Sequence, residues 1–126
     1  MLNNAKIMAF TGTRDAARAK SFYGDQLGLP LVEENSFALV FDAAGTMLRV
    51  TNVPDLTPAQ YTVLGWAVPN ITATVRELAA KGVAFARYPG MAQDNDGVWT
   101  SPAGARVAWF ADPDGNILSL TQFTEQ

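Results

Sequence analysis

Asp112-Pro113-Asp114-Gly115-Asn116, running into Ile117-Leu118-Ser119-Leu120, is the stretch that decides the fold. Aspartate side chains accept from backbone N–H groups just downstream, proline restricts φ, and glycine takes positive φ without steric cost, so the first five residues read as a tight turn. The next four are apolar except for Ser119, as a half-buried strand requires. Arg106 to Ala111 on the near side reads as the partner strand of a hairpin. Pairing Ala111 with Ile117 puts Trp109 opposite Ser119 on one face and turns Phe110 to the other. Asp112 and Asp114 are then turn formers rather than catalytic groups.

Upstream of the hairpin, Leu64 to Pro69 reads as a strand, and a helix starts at about Thr72 with Ile71, Val75, Leu78 and Ala79 on one stripe and Gly82 as its stop. Strands are expected at Val83 to Arg87 and Val98 to Ser101, with a solvated loop at Pro89 to Gly97 forming a mobile rim. The first half repeats this order. A strand over residues 6 to 13 leads to Asp15 as helix cap, then Ala16, Ala19, Phe22, Tyr23 and Leu27 recur at helical spacing up to Gly28 and Pro30. Strands follow at Leu31 to Glu34, Phe37 to Asp42 and Met47 to Asn52. Phe22 and Tyr23 are read as helix-to-sheet packing.

The first half is therefore βαβββ, and the second repeats that order with one further strand at Val83 to Arg87. The expected organisation is one domain over residues 1–126, with a first module at about 5–53, a connector at about 54–62 and a second module at about 63–124. The fold class is α+β, with tandem βαβββ modules forming a curved, mostly antiparallel sheet around a cleft. A ferredoxin-like sandwich also has two helices, but it holds fewer strands.

Composition narrows the function. The 126 residues are 48% apolar and 17% charged, with no apolar run long enough to cross a bilayer. A net charge of −3 with no basic stripe argues against nucleic acid, and no partner membrane is expected. There is no cysteine and no secretory leader pattern, so a cytoplasmic location is expected. Without histidine or cysteine, nucleophilic triads are excluded, and no glycine-rich phosphate loop is present. Asp94, Asp96 and Gly97 match only part of a calcium loop.

The spacing Asp15, Phe22-Tyr23, Leu27-Gly28 near the start and Asp112-Pro113-Asp114-Gly115-Asn116 near the end resembles the glyoxalase, bleomycin-resistance and extradiol-dioxygenase superfamily, the vicinal oxygen chelate proteins. The resemblance covers nearly the whole chain. It implies homodimers and, in metal-dependent members, a divalent ion held by histidine and carboxylate groups from four strands. Carried over by motif spacing, those places fall at Met8, Arg49, Trp66 and Ser119. None is a credible ligand: a thioether is too soft, an indole only donates, a hydroxyl is un-ionised, and a guanidinium repels the ion. No metal and no cofactor is expected.

Met8, Phe10, Arg49, Trp66, Trp109 and Ser119 are instead expected to line a concave ligand-binding surface, with no catalytic residue among them. Tryptophan offers a π face, and Arg49 can pair with an anion or with a nearby acid such as Glu33, Glu34 or Asp42. The expected function is metal-independent small-molecule binding, similar to the drug-sequestering bleomycin-resistance members. Metal-dependent glyoxalase or dioxygenase activity is not expected. The alternatives are a metal-free lyase or isomerase using Arg49 as anion anchor, and a non-catalytic interaction module.

Overall fold

Both helices begin where a side chain can accept from the unpaired N–H groups of a first turn. Asp15 Oδ1 takes the Arg18 N–H at 3.2 Å and Asn70 Oδ1 takes the Ala73 N–H at 3.1 Å. α1 (Ala16–Lys20) passes directly into a π-helical turn over Ser21–Gln26, where the sequence pattern reads one continuous α-helix. The Leu27 N–H reaches back to the Phe22 carbonyl at 2.9 Å. Phe22 and Tyr23 both point inward from this wider turn, buried edge-to-face with ring centroids 5.1 Å apart. Their packing role is as expected. α2 (Ile71–Ala80) buries Ile71 and Val75, and Gly82 follows its end at φ 92°.

The computed structural model describes residues 1–124. The chain divides after Pro58 into two units. In the first, β1 (Met8–Thr13), β2 (Leu31–Glu34), β3 (Ala38–Ala43) and β4 (Thr46–Asn52) form a sheet ordered β1-β4-β3-β2. In the second, β5 (Thr62–Ala67), β6 (Trp99–Thr100), β7 (Arg106–Ala111) and β8 (Ile117–Gln122) repeat it as β5-β8-β7-β6. β1 and β4 run parallel, as do β5 and β8, and all other neighbours are antiparallel. The tandem βαβββ plan of the α+β class is what the chain adopts, each module contributing a four-stranded mixed sheet.

Where a ninth strand was expected, Val83 to Arg87 forms only an isolated bridge between Phe85 and Phe110. Polar side chains satisfy the backbone there. Gln93 Nε2 donates to the carbonyls of Ala86 and Gly97, both at 2.9 Å, and the Arg87 guanidinium donates to the carbonyls of Asp94 and Asn95. A loop whose backbone is paired this way gains nothing by extending.

Each sheet buries the row that faces its helix. Leu39, Phe41, Leu48 and Val50 are buried on the side of Tyr23, whose ring lies 5.9 Å from that of Phe41. Ala108, Phe110, Leu118 and Leu120 are the corresponding row of the second sheet, buried with Ile71, Val75 and Val83. At about 1.5–3 kcal/mol for each large side chain, each row holds its own unit together.

The terminal hairpin shows why its turn needs those residues. Asp112 Oδ1 accepts from the N–H groups of Asp114 (3.0 Å) and Asn116 (2.9 Å), and its Oδ2 accepts from Asn116 Nδ2 at 2.8 Å. Gly115 takes φ 89°. Asp112 is 5% exposed and its carboxylate serves its own loop, so the structural reading stands. Ala111 pairs with Ile117 and Trp109 with Ser119, the expected register.

Candidate functional site

Strand alternation decides which side chains share a face. In the first sheet Phe10 is the register partner of Arg49, and Arg49 of Val40, so Phe10, Arg49 and Val40 form a row across β1, β4 and β3 on the face turned away from α1. Met8 pairs with Met47 two residues away on the same face. Met8, Phe10 and Met47 are exposed, Arg49 is half-buried and Val40 is buried. The structure therefore brings three of the expected residues, Met8, Phe10 and Arg49, onto one surface. A cavity of about 470 Å³ lies at its Met8 end, lined by Lys6, Met8, Val32, Asp42 and Met47 among others.

In the second sheet the equivalent row is Gly65, Ser119 and Trp109 across β5, β8 and β7. Trp99 of β6 pairs with Val107, two residues from Trp109, and so stands on the same face. Its ring centroid is 6.1 Å from that of Trp109, and Tyr88 meets Trp109 edge-on at 5.6 Å. Ser119 is 7% exposed and nearly enclosed. A Cβ at Gly65 would lie 3.0 Å from Ser119 Oγ, so only a glycine leaves that hydroxyl its room. A smaller cavity, about 270 Å³, opens beside this wall and is lined by Gln60, Tyr61, Tyr88, Met91 and Trp109 among others.

Trp66 does not join this surface. It pairs with Leu120 on the opposite face, stacked on Phe110 with centroids 6.4 Å apart and planes at 22°, in a cluster that also holds Phe85. The expectation of Trp66 on the concave surface is corrected here, and the reason is parity: Gly65 faces away from α2, so its neighbour faces the helix. The helix caps give the true correspondence. Met8 stands seven residues before Asp15, and the residue seven before Asn70 is Val63, not Trp66. Val63 is 39% exposed and has no donor atom.

The residues that sequence reading missed are Tyr88 and Trp99. Trp99 was within reach of the same hairpin logic that placed Trp109, had β6 been paired with β7. Tyr88 sits in a loop with no periodicity and left no such signal.

Metal binding can be tested on donor chemistry. In the first unit Met8 and Arg49 supply a thioether and a cation, and in the second Val63 and Ser119 supply a hydrocarbon and an un-ionised hydroxyl; none of the four suits a divalent ion. Among the described residues no three histidine, cysteine, aspartate or glutamate side chains are grouped as ligands would be. The partial calcium pattern is used otherwise. Asp94 Oδ1 accepts from the N–H groups of Asp96 (2.9 Å) and Val98 (3.0 Å), and Asp96 binds Arg76 at 3.2 Å. With Gln93 and Arg87 these bonds tie the loop at Pro89 to Gly97 to itself and, through Arg76, to α2.

The sequence pattern of the Glyoxalase/Bleomycin resistance protein/Dioxygenase superfamily matches residues 8–120. The chain belongs to that superfamily. Solved structures of glyoxalase-like proteins share its fold. A glyoxalase family protein from Enterococcus faecalis superposes with TM-score 0.76 at 18% identity, covering 96% of this chain and 99% of that one. A genomically encoded fosfomycin resistance protein from Listeria monocytogenes gives 0.73 at 14% identity, covering 96% and 94%. A lactoylglutathione lyase from Agrobacterium tumefaciens gives 0.71 at 16% identity, covering 94% and 93%. A search of curated proteins found no match. At such identities the likeness speaks for the fold, and within the superfamily the side chains of each member must speak for its chemistry.

Proposed function

We propose that this superfamily member binds a small planar organic molecule without a metal, as a sequestering protein of the bleomycin-resistance kind rather than as a glyoxalase or dioxygenase. The observation that carries this reading is the aromatic wall of the second sheet: Trp109 with Tyr88 edge-on at 5.6 Å and Trp99 at 6.1 Å, beside the Ser119 hydroxyl. A mostly apolar surface with few polar anchors is how small-molecule sites are built. An indole face gains from stacking a flat ring or a cation, and Ser119 supplies one directional hydrogen bond. The donor set at Met8, Arg49, Val63 and Ser119 supports the metal-free part of the reading. We further propose that it acts as a single-domain protein in the cytoplasm, as a homodimer, with neither nucleic acid nor membrane as partner; the family resemblance, the absence of cysteine and the acidic balance support this.

Three tryptophans make the test direct. Intrinsic fluorescence is titrated with a panel of aromatic antibiotics and phenolic compounds, using wild type, Trp109→Leu and Trp66→Phe. The expected result is a saturable ligand response that Trp109→Leu weakens about tenfold or more and Trp66→Phe leaves intact, since a lost aromatic contact is worth about 1–3 kcal/mol. Elemental analysis is expected to find no stoichiometric transition metal. A tightly held metal whose removal by a chelator abolishes ligand binding overturns the reading.

A further inference from the structure

We propose that Arg49 is an oxyanion-binding residue of the first unit, so that a ligand held on that unit's sheet carries a carboxylate or phosphate group on an apolar body. This deepens the binding function proposed above and rests on it. Lys20, Arg76 and Arg106 pair with Glu34, Asp96 and Asp94, whereas among the described residues Arg49 takes part in no ion pair and no hydrogen bond. It is nonetheless half-buried at the middle of its sheet, between Phe10 on β1 and Val40 on β3. The stem of such an arginine can lie along apolar neighbours while its head keeps access to solvent, and the fold makes no structural bond with that head.

The acids that share its face are otherwise engaged. Asp42, diagonal to Arg49 on β3, accepts the Gly45 N–H at 2.8 Å. Glu33, on β2 opposite Val40, accepts from Asn35 Nδ2 at 2.6 Å. Glu34, the third acid in reach by sequence, pairs with Lys20 at 2.8 Å. β1 brings no charged residue to this face: its members there are Met8, Phe10 and Gly12. Arg49 therefore stands as a permanent positive charge with five unused donors, beside apolar side chains on β1 and with Asp42 and Glu33 on the same face but bonded elsewhere. The planar fork of the guanidinium matches two oxygens of a carboxylate or phosphate, and the exposed side chains of Phe10, Met8 and Met47 offer the apolar body a surface.

The test observes the side chain itself. Protein labelled with nitrogen-15 is titrated with benzoate, phenyl phosphate, inorganic phosphate and the neutral benzamide, following the Arg49 Nε–H resonance assigned by its loss in Arg49→Gln. The expected result is a saturable shift with benzoate or phenyl phosphate, and the stronger of the two names the oxyanion. Arg49→Gln is expected to weaken that anion about tenfold or more, as loss of a charged hydrogen bond does, and to leave benzamide unchanged. Because Arg49 holds no partner, the variant is expected to keep the wild-type melting temperature, which confirms that it folds. An Arg49 resonance unmoved by either anion, or benzoate and benzamide bound equally in both proteins, overturns the inference; in the latter case ring binding stands and only the anion anchor falls. If Trp109→Leu leaves every probe unaffected while Arg49 still shifts, the anchor stands and the aromatic-wall reading falls.

Discussion

Phe10, Arg49 and Val40 in the first sheet occupy the same three strand positions as Gly65, Ser119 and Trp109 in the second. The frame around them is repeated closely: the same strand order, a parallel first and last strand, and helix caps whose φ and ψ agree within a few degrees at Asp15 (−146°, 92°) and Asn70 (−142°, 94°). The contents of the two rows share nothing. One offers a ring, a cation and an aliphatic group, the other an empty place, a hydroxyl and an indole. Hydrogen-bonded backbone and helix-side packing are what the two units have in common, whereas the face turned away from each helix differs.

The sharpest way to break this comparison is to exchange the burden between faces. Leu118→Ala on the helix side, where the side chain is fully buried, is expected to cost about 2–5 kcal/mol in urea denaturation. Phe10→Ala on the opposite side of the first sheet, where the ring is 56% exposed, is expected to cost about 1 kcal/mol or less. Equal costs would mean that the outward faces carry structure after all.

A smaller effect sharpens the second row. Gly65→Ala places a methyl 3.0 Å from Ser119 Oγ and 3.4 Å from the Ser119 carbonyl, so the hydroxyl must turn aside. Stability is expected to change by about 1 kcal/mol or less, because alanine suits a strand better than glycine does. Ligand response should nevertheless fall. A variant that binds as wild type would remove Ser119 from the site.

The smallest expected effect concerns the link between α1 and β2 that Lys20 makes with Glu34. Glu34 beside Lys20 raises the lysine above its ordinary pKa, chiefly through their hydrogen bond and then through charge attraction. A lysine raised by folding adds stability that is complete below its unfolded pKa and is lost as pH climbs through the folded value. Lys20→Met and wild type should therefore differ slightly at neutral pH and converge in strongly alkaline solution, as paired thermal melts would show. Both partners are about half exposed, so the difference is near the limit of measurement.

Much of the fold was legible because local chemistry dictates it. Asp15 ahead of an amphipathic run, and Asp112 to Asn116 between two strands, each specify their own hydrogen bonds. Strand ends fell within about two residues of the observed ones. Val83 to Arg87 was misread because its apolar alternation is real, yet Gln93 and Arg87 draw its backbone partners into a loop by contacts no periodicity announces. The site was legible where register could be counted from a turn, as at Trp109 and Ser119. At Trp66 the count started from Gly65 instead of from the cap at Asn70, and an error of odd number in a strand reverses the face. Tyr88 reached the wall through loop geometry alone.

That loop has one more consequence. Gln93 Oε1 accepts the Tyr88 N–H at 2.8 Å while its amide spans to Ala86 and Gly97, so the tyrosine backbone is held before any guest arrives. A ligand of the proposed kind would have little chain to immobilise there, which spares the entropic toll that a flexible flap would levy. Arrival rates for different guests should then lie close together, and their dwell times should set the ranking.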